Sequence, residues 1–159
     1  MFKSPIELSD IEPKALRDLF IYWNKIRGEK SMPSRKDFRP SDVPRLLPHI
    51  VMVDVEQDSG RYLTRLVGTE TVKAMGIDLT GRYVNDVPQM SVVLERYQWI
   101  VENKTPYIYT GQLAWSEKSY LEYFALGLPL SDDDKRVDII MWGLVYYFPS
   151  EQRTRFPIE

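Results

Sequence analysis

The runs YIYTGQLAW (residues 107–115), YLEYFALGL (120–128) and VDIIMWGLVYYF (137–148) decide the fold. They are rich in Tyr, Trp, Ile and Val, whose aromatic or β-branched bulk fits a pleated surface better than a helix. Between them stand SEKS (116–119) and PLSDDDKR (129–136), which supply turn chemistry. Three long strand-like runs joined by short connections predict an antiparallel meander. The acidic trio Asp132, Asp133 and Asp134 lacks the spacing and glycine of a calcium loop. It reads as a solvated turn that keeps the flanking apolar strands from associating.

Working back from there, Pro88 opens a helix over roughly Ser91 to Asn103, where Val93, Leu94, Tyr97, Ile100 and Val101 share one face. TETVKAM (69–75) is helical in composition and is stopped by Gly76. The following Asp78 to Gly81 reads as a turn with Gly81 at positive φ. HIVMVDVE (49–56), QDSG (57–60) and RYLTRLVG (61–68) read as a β-hairpin. The firmest helix runs from Ala15 to Arg27, with Leu16, Leu19, Phe20, Trp23 and Ile26 at the spacing of one face. Pro13 suits its first turn, Ser9 and Glu12 have capping-box spacing, and Gly28 is placed to end it. A connector punctuated by Pro33, Pro40, Pro44 and Pro48 follows, in which Ser41 to Leu47 makes at most a helical turn or two capped by Ser41. This order predicts an α+β domain with five antiparallel strands, helices on one face, and an N-terminal flanking helix. The expected division is a helix and connector at 1–48, a core at 49–148 and a tail at 149–159.

With 159 residues, 43% hydrophobic and 28% charged, the chain has the composition of one globular domain. The absence of cysteine excludes thiol nucleophiles, disulfides, Cys-type zinc sites, iron–sulfur clusters and cysteinyl photoadducts. No apolar stretch approaches the roughly 18 residues of a membrane span, and the N-terminus has no signal-peptide pattern, so a cytoplasmic location is expected. A net charge of −2 argues against a dedicated nucleic-acid binder. Seven basic residues against three acidic between Lys25 and Arg45 make one locally positive stretch, a solvated connector or a contact for an acidic partner.

A single histidine, His49, excludes multi-histidine metal sites, and nothing in its spacing supports a catalytic triad. Asp54 and Asp138 sit inside apolar strand runs. Alternation places Asp54 with Ile50 and Met52, and Asp138 with Ile140 and Trp142. If those faces are inward, the carboxylates anchor a ligand or need a basic partner, for which Arg65 is nearest in sequence. Twenty aromatic residues cluster largely in the strands. Tyr62, Tyr83, Trp99, Tyr109, Trp142 and Tyr146 together would line a cavity for a small planar or acyl ligand, although each also serves as core packing.

The order of elements, with GTETVKAMGIDLTGRYVNDV (68–87), resembles the PAS domain, and more closely the short stand-alone PAS proteins of bacteria. FIYW (20–23), MPSRKDFRPSDVPRLLPHIVMVDVE (32–56), RYLTRLVGTE (61–70) and GIDLTG (76–81) carry the resemblance, which covers Leu16 to Phe148. It implies a PAS fold, and a small-molecule cavity between the sheet and the segment Glu70 to Asn103. Dimerisation through the N-terminal helix and the outer sheet face is implied as well. The candidate ligand-binding set is Asp54, Tyr62, Arg65, Met75, Tyr83, Trp99, Tyr109 and Trp142. The candidate interface set is Leu16, Leu19 and Trp23. Haem is disfavoured because the longer helix has no histidine. A covalent flavin adduct is excluded for want of cysteine, and a non-covalent flavin stays open. Because the chain ends soon after its last strand, signalling is expected to pass to another protein rather than to a fused effector. A ligand-free dimerisation or scaffold module is the alternative. A small cone-shaped α+β enzyme, with Asp54 or His49 as base, is a third reading.

Overall fold

The structure is a computed structural model that describes residues 1–113 and 121–148. Helix α1 spans Lys14–Arg27, with Pro13 in extended backbone at its N-cap and Gly28 ending it at φ 59°. The capping box that forms is not Ser9 with Glu12. Glu7 and Asp10 bracket a one-turn 3-10 helix at Leu8–Asp10 instead. Ser9 lies inside that turn, too far upstream to reach the free N–H groups of α1. In the connector, 3-10 turns occupy Arg35–Asp37, Pro40–Asp42 and Leu47–His49. Ser34 and Asp37 cap the first of these reciprocally. Ser41 lies within the second turn and caps nothing; Pro44, without an N–H, separates the pieces.

Strand β1 (Phe2–Lys3) precedes these elements, and β2 (Ile50–Val55) and β3 (Tyr62–Val67) follow them as the expected hairpin. Helix α2 (Thr69–Met75) ends on Gly76 in the left-handed conformation. A 3-10 stretch at Pro88–Val93 leads into α3 (Leu94–Asn103). Strands β4 (Tyr107–Gln112), β5 (Glu122–Leu130) and β6 (Ile139–Tyr147) complete one antiparallel sheet in the order β1-β4-β5-β6-β2-β3. The sheet therefore has six strands rather than five. Phe2–Lys3 pairs with Tyr109 and Ile108, and two residues carry no periodic signal that would announce a strand. The expected continuation of β4 through Ala114 and Trp115, the SEKS turn, Tyr120 and the tail 149–159 lie outside the described residues.

Both faces of the sheet are covered. On the outer face α1 packs Leu16 and Leu19 so closely on Gly143 that a β-carbon there would stand 2.7 and 2.8 Å from their methyl groups. The Trp23 indole N–H donates to the Pro129 carbonyl at 3.0 Å. Leu16, Leu19 and Trp23 are all buried within the chain. Each leucine contributes about 1.5–3 kcal/mol by leaving water. Contact of these three side chains with a second copy would require α1 to leave the sheet. The inner face lies beneath α2, α3 and the segment between them.

The acidic turn between β5 and β6 has a structural task. Asp134, at φ 60°, accepts the backbone N–H groups of Ser31 and Met32 at 3.2 and 3.0 Å. It thereby ties the connector to the end of the sheet. Asp133 accepts from Arg136 N, Lys135 N and the Ser131 hydroxyl, and these bonds, the Arg136 amide foremost, lower its carboxyl to about 2.

Candidate functional site

Between the inner face of the sheet and the helices lies a cavity of about 70 Å³. Strand alternation supplies one wall: Val51 and Val53 of β2, Thr64 of β3, Tyr107 of β4, Tyr123 and Ala125 of β5, and Trp142, Leu144 and Tyr146 of β6. Thr71 and Met75 of α2, Val87 and Met90 of the linking segment, and Arg96 and Tyr97 of α3 close the other side. The lining is mostly apolar, and small-molecule pockets usually measure roughly 300–1,000 Å³, so this one suits a small occupant.

Aromatic rings pack against one another along the wall. Tyr97 stacks on Trp142 at 4.8 Å, Tyr107 meets Trp142 edge-on at 5.4 Å, and Tyr62 meets Tyr97 edge-on at 5.3 Å. Gly127 makes the arrangement possible, because a β-carbon there would lie 2.7 Å from the Trp142 ring and 2.9 Å from that of Tyr107. The hydroxyls of Thr71 and Tyr146 share a hydrogen bond of 3.1 Å. Among the described residues, the buried indole N–H of Trp142 has no acceptor, and the Tyr107 hydroxyl makes no hydrogen bond of ordinary geometry. The Arg96 guanidinium lies near enough to that hydroxyl to favour its ionised form, but burial dominates and raises Tyr107 well above the phenol range. Burial likewise raises Tyr97 and Tyr146, and lifts Tyr123 to about 12 against the pull of Arg96. At neutral pH these phenols are neutral hydrogen-bonding groups, unsuited to act as bases.

Arg96 is the charged residue of the lining. Its guanidinium lies 3.8 Å over the Tyr109 ring, and Nη2 donates to the Tyr123 hydroxyl at 3.1 Å. No ion pair engages it among the described residues.

Of the residues expected from sequence, Met75, Trp142 and Tyr146 line the cavity. Tyr62 and Tyr109 stand one layer behind, supporting Tyr97 and Arg96. Trp99 packs edge-on against Phe2 and Tyr107. Tyr83 is away from the cavity: its hydroxyl donates to Glu56 at 2.6 Å, and Arg61 stacks on its ring. Asp54 and Arg65 pair with each other, Arg65 Nε donating at 2.7 Å, and neither belongs to the lining. Asp54 shares the outer-face parity of Ile50 and Met52, whereas Val51 and Val53 face the cavity. Asp138 accepts the Asp132 N–H at 2.7 Å. His49 sits at the entry to β2 with Nδ1 3.2 Å from the Leu144 carbonyl.

Arg96, Tyr107 and Tyr123 were not singled out from sequence, and Tyr97 was read only as part of the apolar face of its helix. The usable signal was Arg96, a cation beside the apolar face of the longer helix. Tyr123 and Tyr107 also follow once the parity of Trp142 is propagated through the register Gly127↔Trp142 and Tyr107↔Gly127.

No helix among the described residues is long and apolar enough to cross a membrane. Comparison with curated proteins finds no matching relative. A family model described as a PAS domain matches residues 11–145, a span that takes in α1, the connector, both helices over the inner face and nearly all of the sheet. With its antiparallel sheet and the cavity beneath α2 and α3, the chain belongs to the PAS-domain family.

Proposed function

We propose that this PAS domain is a cytoplasmic sensor that binds a small molecule in the inner cavity and signals by contact with another protein. The observation that carries this reading is the Trp142 indole N–H, held in the wall of an apolar cavity without an acceptor among the described residues. Such a buried donor costs roughly 1–3 kcal/mol, which an acceptor on a bound molecule would offset. The cavity touches both the sheet and the helices. An occupant that fits one arrangement of α2, residues 76–93 and α3 better than another would shift the population toward it. No catalytic role is assigned to Asp54 or His49. Self-association is proposed through the outward side of α1, where Ile21 is 52% exposed.

The small cavity volume and the dense ring contacts favour a second reading, a ligand-free dimerisation or scaffold module. Native mass spectrometry of freshly purified protein, followed by denaturation to release anything held non-covalently, separates the two. A defined extra mass is the expected result. A bare chain mass together with no thermal shift across a metabolite panel would overturn the sensor reading.

A further inference from the structure

Resting on the reading of the cavity as a ligand site, we infer that its occupant is a short-chain aliphatic monocarboxylate. The carboxylate would lie on the Arg96 guanidinium and the alkyl body among Val53, Met75, Val87 and Leu144.

Charge is the first ground. Arg96 is part-buried, is the lining's formal charge, and meets no carboxylate at ion-pair distance among the described residues. Its neighbours do not neutralise it, since burial keeps the phenol of Tyr123 protonated up to about 12. A partly desolvated cation without a counter-ion is unfavourable, and an anionic ligand relieves it.

Geometry is the second. Stacking on Tyr109 and the bond to the Tyr123 hydroxyl fix the plane of the guanidinium while engaging one of its five N–H donors. The remaining donors form a fork suited to a bidentate carboxylate, and its orientation is set before the ligand arrives.

Size is the third. A cavity of about 70 Å³ is near half of the roughly 150 Å³ that accommodates benzene, which leaves space for an alkyl body of about three carbons. Larger acids do not fit this volume. A second carboxylate would be pressed against valine, leucine and methionine side chains, which is costly. A cationic ligand would meet Arg96 unfavourably.

The test is calorimetric titration of the whole chain with sodium butyrate, with butyramide as its uncharged isostere and succinate as the dicarboxylate. Butyrate is expected to bind and raise the melting temperature, with butyramide and succinate at least about tenfold weaker. Arg96→Gln is expected to lose about tenfold or more in butyrate affinity. Should that variant not fold, Arg96→Lys keeps the charge without the planar fork and is expected to bind several-fold more weakly. Equal binding of butyrate and butyramide, or unchanged butyrate affinity in a folded Arg96 variant, overturns the anionic assignment and leaves the cavity a ligand site. No butyrate binding by a protein that carries another defined mass in native mass spectrometry overturns the monocarboxylate and spares the sensor reading. No butyrate binding with bare chain mass and no thermal shift overturns both.

Discussion

Gly127 stands directly opposite Trp142 on the neighbouring strand, and the indole occupies the space a side chain at 127 would take. The β-carbon of an alanine would fall 2.7 Å from the six-membered ring. Trp142 is packed between Tyr97 and Tyr107, so it has little freedom to retreat. Gly127→Ala is expected to destabilise the fold by about 1–3 kcal/mol, the usual range for overpacking. Equilibrium urea unfolding measures this, and a variant as stable as the parent would show that the ring shifts freely.

Helix α1 should behave as part of the core. Leu19→Ala is expected to cost about 2–5 kcal/mol, because it empties a site pressed onto the sheet. Ile21→Ala, on the exposed side, should change the stability of the single chain by no more than about 0.5 kcal/mol and weaken self-association instead. If Leu19→Ala left stability unchanged and altered the oligomeric state, Leu19 would face a partner rather than the core.

The buried tyrosines predict alkaline instability. In the unfolded chain their phenols ionise near the ordinary value of 10.0, whereas in the folded protein Tyr123 holds its proton to about 12 and Tyr97, Tyr107 and Tyr146 are also raised. Between those values the unfolded state binds fewer protons, so stability is fully present below about 10 and falls as pH rises through the window. Phenolate absorbance and far-ultraviolet circular dichroism, followed together, should show the buried set ionising as secondary structure is lost. A smooth titration complete before unfolding would contradict the burial.

At the other end of the sheet, Asp134→Ala removes the acceptor of the Ser31 and Met32 amides. Faster hydrogen exchange at those two positions is expected, with little change in β5 or β6. Asp133 adds an acid dependence. Its carboxyl is lowered to about 2 in the folded turn, so its contribution is present above the ordinary 3.8 and is lost as pH falls toward about 2. Carboxyl chemical shifts recorded over that range report the titration directly.

Element order was legible because each main element had its own signal. The leucines of α1 recur with helical period, Gly76 and Gly81 punctuate the segment beyond α2, and the last three runs are aromatic and β-branched. The faces were less legible. Along β2, Ile50 to Val53 are all buried, since α1 covers one side and the cavity-forming layer the other. A strand buried on both faces shows no apolar–polar alternation, so Asp54 gave no reliable cue to which side turned inward. Trp142 was found by its chemistry. Arg96 was missed because one cation on an amphipathic helix reads as solvated until the sheet's tyrosines are seen beneath it. The turn at Asp132 to Asp134 reads from sequence as a solvated guard against strand association, and its bonds to residues 31 and 32 depend on a contact more than a hundred positions away in sequence.

Trp142 and Gly143 are consecutive residues of β6, one walling the cavity and the other seating α1 on the far side of the sheet. A single peptide plane therefore joins the interior of the domain to its outermost helix. Rotating that plane moves the indole and the helix seat together, so the partition between the two sides of the molecule is one strand thick.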